Sequence, residues 1–134
     1  MIRIQIGKGM KIEGAVVILL DQNDKTLILL RPAEAKWAPL KWGYPGGKIE
    51  PGEDALDAAV RETKEETALD ARSLILAKLK VDKPVEVYYT RDYSGTVRID
   101  HEHNDWAWVS HDELKEYDLA PQVLEMYEWV LKNE

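Results

Sequence analysis

The sequence predicts an α/β fold, an α/β/α sandwich in which a mixed β-sheet lies between a mid-chain helix and a C-terminal helix. Three observations carry this. The apolar runs at 11–20 and 26–31 are rich in Val, Ile and Leu and do not alternate cleanly, as in strands covered on both faces. From 54 to 69 the pattern becomes helical, with Leu56, Ala59, Val60 and Thr63 at i, i+3, i+4 and i+7. At the C-terminus Val123, Leu124, Tyr127, Val130 and Leu131 mark a second amphipathic helix.

The first two strands are joined by the turn residues Asp21 to Asp24 and are expected to form a hairpin. Residues 32–53, with prolines and glycines throughout, read as a long irregular connection of the kind that carries function or is disordered. Pro51-Gly52 turns the chain, and Asp54 is a suitable helix N-cap. At 100° per residue, Glu62, Glu65 and Glu66 fall on a sector beside the apolar stripe, free to meet solvent or a ligand. Strands are expected at 73–81, 85–92 and 96–99, the last two joined through Asp92-Tyr93-Ser94-Gly95, and a short one at 106–109. Ser110 and Glu113 have capping-box spacing and open a brief helix, and Pro121 starts the final one.

At 134 residues, without repeats or linkers, the chain is expected to be a single domain spanning 1–134, with a monomer or a homodimer both open. It has no cysteine, no apolar run long enough to span a membrane and no signal segment, so the expected compartment is the cytoplasm. A net charge of −7 with scattered Lys and Arg argues against polymeric nucleic acid. A small phosphorylated ligand escorted by divalent cations stays open.

The segment Arg61 to Thr67 crowds three carboxylates at i, i+3 and i+4, where like charges cost a few tenths of a kcal/mol per pair. A solvated helix face with an Arg61–Glu65 pair is the bland explanation. A hard divalent cation is the sharper one, since oxygen ligands that repel one another when empty become favourable around it.

Gly47 is followed after five residues by Glu53, and after seven more by Arg61-Glu62, then Thr63, Lys64, Glu65-Glu66, Thr67, Ala68 and Leu69. This resembles the Nudix box of the Nudix hydrolase superfamily. Thr63 stands where the pattern has a bulky apolar residue, and Ala68 where it has glycine; if the backbone there needs φ > 0, alanine is strained.

The resemblance implies a Nudix-type sandwich and an enzyme that hydrolyses the phosphoanhydride of a nucleoside diphosphate linked to another group, with Mg²⁺, or alternatively Mn²⁺, as cofactor. A nucleoside triphosphate is the first expectation for this small-molecule nucleotide substrate. A dinucleoside polyphosphate or ADP-ribose follows, and a silent nucleotide-binding regulatory module is the rival from another class. Carried over, the metal ligands are Glu62, Glu65 and Glu66, with the carbonyl of Gly46 as a further candidate, and Arg61 orients the glutamates through salt bridges involving Glu53. Gly46 and Gly47 let the loop approach metal and phosphates. Glu102 is the first choice for a late ligand or base, with Asp105 behind it, and His101 and His103 beside it. Trp37 and Trp42 are candidates to stack on the base, against the alternative that they pack the loop down; Tyr44 stands likewise. Trp106 and Trp108 share one face of a strand, as part of a base pocket or of a core edge.

Overall fold

A computed structural model describes residues 11–134; the first ten lie outside the described residues. Among the described residues nine strands run as β1 (Gly14–Leu19), β2 (Thr26–Leu30), β3 (Trp42–Gly43), β4 (Gly46–Lys48), β5 (Asp70–Arg72), β6 (Ile75–Ala77), β7 (Val85–Thr90), β8 (Asp92–Ser94) and β9 (Asp105–Val109). The helices are α1 (Ala55–Thr67), α2 (His111–Leu114) and α3 (Val123–Asn133). Among the described residues no helix is long and apolar enough to cross a membrane.

The central strand β1 lies between β4, antiparallel, and β7, parallel, with Gly14 opposite Val85 and Leu19 opposite Thr90; β6 completes this mixed sheet. A second, antiparallel sheet has the order β3-β2-β9, and β5 pairs with β8 alone. Alternation along β1 feeds two cores. Ala15, Val17 and Leu19 pack with Ala58 and Ala59 of α1 on one side. Ile18 and Leu20 pack with Val123, Met126, Tyr127 and Val130 of α3 on the other. The expected sandwich, with helices on opposite faces of a mixed sheet, is what the chain forms.

Four local expectations need correction. The turn at 21–25 forms, with Asp21 Oδ1 accepting the N–H groups of Asn23 at 2.8 Å and Lys25 at 2.9 Å. Yet β1 and β2 share only one isolated bridge, Leu20–Thr26, because both edges of β1 are taken by β4 and β7. β2 therefore pairs with β3 and β9 instead of forming a hairpin with β1. The 32–53 connection is also less irregular than expected, since it contributes β3 and β4.

Residues 96–99 form no ladder. They run beside the end of α1, where Arg98 N–H donates to Thr67 O at 2.8 Å and Asp100 N–H to Glu66 O at 3.3 Å, so the segment serves carbonyls that the helix end leaves unpaired. Finally, the buried face of α1 is Ala58, Ala59, Thr63, Glu66 and Thr67, while Leu56 and Val60 stay 43% and 37% exposed. Small side chains face the sheet and let the helix come close. Glu66 is thereby carried inward, only 6% exposed, instead of sitting beside the buried face.

Candidate active site

The helix that bears the carboxylates is fixed at both ends. Asp54 caps its start by accepting Asp57 N–H at 2.8 Å. Ala68 ends it in the left-handed conformation, φ 67°, with its N–H donating to Lys64 O at 2.9 Å. Alanine thus occupies the strained position that favours glycine.

Opposite the helix, Gly46 and Gly47 lie against β1. A Cβ on Gly46 would come within 2.7 Å of Val16 Cα, and one on Gly47 within 2.5 Å of Glu62 Cδ. A Cβ at Gly46 would strike the backbone of β1, and one at Gly47 would push the Glu62 carboxylate aside. The closeness of the loop lets Gly46 N–H donate to Glu66 Oε1 at 3.0 Å.

Arg61 ties the acidic cluster together. Its Nε and Nη2 donate to the two oxygens of Glu53 at 2.7 and 2.9 Å, and Nη2 also donates to Lys48 O at 3.0 Å. Its Nη1 reaches Glu62 Oε2 and Glu65 Oε1, each at 3.2 Å. This bidentate bond, followed by the Glu50 N–H, holds the Glu53 carboxyl down at about 2. Glu62 is pushed up, first by burial, against the pull of Arg61. Burial, then Glu62 and Asp100 nearby, push Glu66 up to about 9 in spite of the Gly46 N–H. Glu66 is thus a buried carboxyl crowded by other carboxylates.

Sequence reasoning missed Asp100. It is placed beside Glu66 by the backbone bonds at the end of α1, and Glu66, Asp100 and His103 bring ligand atoms within 4.8 Å of one another. His103 Nδ1 lies 2.8 Å from Asp100 Oδ1. The available signal was the acid-rich run from Asp100 to Asp105 itself. With Glu62 one helical turn from Glu66, the donor set is mostly hard oxygen and fits a divalent cation.

Two clefts meet here. One, of about 610 Å³, is lined by Glu62, Glu66, His101, Glu102 and His103 among others. The larger, about 1230 Å³, includes Trp37, Tyr44, Lys83 and Gln122 in its wall. Arg31, Gly46 and Gly47 belong to both. Glu102 therefore borders the acidic cleft without joining the Glu66–Asp100–His103 cluster. Asp105 stands in neither wall, its Oδ1 accepting Trp106 N–H at 2.8 Å. Glu65 is exposed and turned towards Arg61.

The aromatic residues divide. Trp42 lines neither cleft and packs edge-on against Tyr117, ring centres 4.9 Å apart. Tyr44 donates its hydroxyl to Val123 O at 2.7 Å. Trp108 stacks on Tyr93 at 5.8 Å, and Trp106 is exposed away from both clefts. Trp37 alone of these tryptophans stands in the wall of the larger cleft.

The sequence model of the NUDIX domain matches residues 10–130. The chain belongs to the Nudix family. Among relatives of this Nudix protein, the CTP pyrophosphohydrolase of Escherichia coli (strain K12) is 31% identical over 125 residues, covering 89% of this chain and 91% of that protein. The asymmetrical bis(5'-nucleosyl)-tetraphosphatase of Rattus norvegicus is 32% identical over 71% of this chain and 73% of its own length. The fold matches that of the MutT NUDIX hydrolase from Burkholderia pseudomallei with a TM-score of 0.76 at 22% identity, over 87% of this chain and 95% of that one.

Proposed function

We propose that this Nudix protein is a nucleoside triphosphate pyrophosphohydrolase that works with Mg²⁺, or with Mn²⁺ in its place, in the cytoplasm. The observation that carries the reading is the junction of two clefts at Gly46, Gly47 and Arg31, with buried, crowded carboxylates on one side and room for a nucleoside on the other. The relative named for CTP hydrolysis, matched over nearly its whole length, supports the same substrate class.

Glu62 and Glu66 would hold the cation, with Glu65, Asp100, His103 and the Gly46 carbonyl as the surrounding donors. When bound, the cation neutralises phosphate charge and lowers the pKa of a coordinated water. Arg61, fixed by Glu53 and Lys48 O, keeps Glu62 and Glu65 in place. Glu102, at the rim of the acidic cleft, takes the proton from the attacking water. Water adds to phosphorus, the anhydride P–O bond breaks, and a nucleoside monophosphate and pyrophosphate leave. Phosphoryl transfer of this kind needs positioning and charge stabilisation more than a nucleophilic side chain.

A dinucleoside polyphosphate is the second reading, favoured by the tetraphosphatase relative. A panel of nucleoside triphosphates, dinucleoside polyphosphates and ADP-ribose, assayed with Mg²⁺ beside Glu66→Gln, tests both. Turnover of a triphosphate that falls at least ~100-fold in the variant is expected. Equal turnover by both proteins refutes the site, and tight binding without turnover points to a regulatory module.

A further inference from the structure

The chain carries a net charge of −7, yet Lys11, Arg31, Lys48 and Lys83 line the larger cleft without an ion pair among the described residues, and two of them, Arg31 and Lys83, share one aromatic ring. Arg31 follows β2 and Lys83 precedes β7. Both stand over the ring of Trp37, Arg31 Cζ at 5.1 Å and Lys83 Nζ at 4.0 Å from its centre. Arg31 is held a second time, its Nε donating to Trp37 O at 2.9 Å. The two charged centres are thus within about 9 Å of one another.

Such an arrangement is costly unless an anion completes it. Burial draws both groups below their ordinary pKa values, and Arg31 lowers Lys83 further; Glu66 and Glu13 offset this only in part. The negative face of the indole is the contact that the two cations share in the free protein. A base stacking on a face so covered would have to displace the cation from it.

We propose that Trp37 is a positioning residue: its indole sets Arg31 and Lys83 as a pair of anion-binding groups for the phosphate chain of the substrate, and is not the surface on which the base stacks. The inference rests on the nucleotide reading above. Arg31 is placed for the task because it lines both clefts, so a phosphate chain running from the nucleoside to the carboxylates passes it. Its planar fork suits two phosphate oxygens at once. Lys83 lines only the larger cleft and supplies a point charge further from the carboxylates. Without the ring, two long side chains that repel each other lose the one contact that orders both.

The test uses the full chain and inorganic tripolyphosphate with Mg²⁺, followed by calorimetry, for Trp37→Leu, Trp37→Phe, Lys83→Met and the Trp37→Leu/Lys83→Met double variant. Melting curves confirm that each variant is folded at the assay temperature. Trp37→Leu is expected to bind roughly 10-fold more weakly, Lys83→Met by a similar factor, and the double variant no more weakly than the weaker single. Trp37→Phe, which keeps an aromatic face, returns binding to within about threefold of wild type. A merely structural role gives neither the Phe rescue nor the loss of additivity. The proposal is overturned if wild type does not bind tripolyphosphate, if Trp37→Leu binds within about twofold of wild type, if Phe is no better than Leu, or if the single losses multiply. Failure of the nucleotide reading is separate: the expected binding pattern would stand while no nucleotide in the panel is hydrolysed.

Discussion

Gly47→Ala changes the site by one methyl group, and its effect follows from distance. The added Cβ would lie 2.5 Å from Glu62 Cδ and 2.8 Å from Oε1. Unbonded carbons settle near 3.5–4.0 Å, so the carboxylate must retreat by about 1 Å. A flexible side chain can do this at little cost in stability, whereas Mg²⁺ demands near-ideal coordination at short range. A displacement of about 1 Å in a positioned group costs on the order of 100-fold in rate. The assay is kcat/KM for the best nucleotide, with a Mg²⁺ titration and a melting curve. Gly52→Ala is the control: it adds strain, since φ is 81°, but its Cβ meets nothing within 4 Å. That variant should melt about 3–5 °C lower and retain its activity. If Gly47→Ala stays within threefold of wild type, Glu62 does not work from the place where the structure holds it.

Three further outcomes concern stability. Ala68→Gly relieves the left-handed residue at the end of α1, φ 67°, and should add about 1 kcal/mol, read as a rise in Tm of roughly 3–5 °C; an unchanged Tm refutes the strain. Thr63 is fully buried with no hydrogen-bond partner for its hydroxyl among the described residues, so Thr63→Val should add about 1 kcal/mol in urea unfolding, and a loss would mean that the hydroxyl is served. Glu53, held at about 2 by Arg61, favours the folded state in its ionised form. The Tm gap between wild type and Glu53→Gln should therefore be full above the ordinary value of 4.5 and shrink as the pH falls towards 2; a gap that ignores pH contradicts the pairing.

What the sequence disclosed was local, and what it hid was tertiary. Glu53, Arg61 and Glu62 could be linked because helical spacing and one upstream turn fix their relations, and the Arg61–Glu53 bond appears as expected. Asp100 was hidden because backbone bonds to the end of α1, not a sequence pattern, bring it to Glu66. The buried face of α1 was legible in part, since Ala59 and Thr63 are buried as expected while Leu56 and Val60 are not. Periodicity weights Leu56 and Val60, whereas close approach to a sheet selects Ala58 and Ala59. The first hairpin failed through competition, since neighbours distant in sequence claimed both edges of β1. Trp42 and Trp37 look alike on paper; only the packing of Tyr117 on one and of two cations on the other separates them.

The side-by-side alignment of β1 with β7 also governs when the protein matures. Gly14 meets Val85 only after the glutamate-bearing helix has been synthesised, and such distant pairing forms slowly. A nascent chain that ends before residue 85 already contains Glu62, Glu66 and Gly46 but lacks β7 beside β1 and the Asp100 and His103 that meet Glu66. Cut loose, a helix of this length with mutually repelling acids is marginal in water. The complete cluster of Glu66, Asp100 and His103 therefore assembles only late in synthesis.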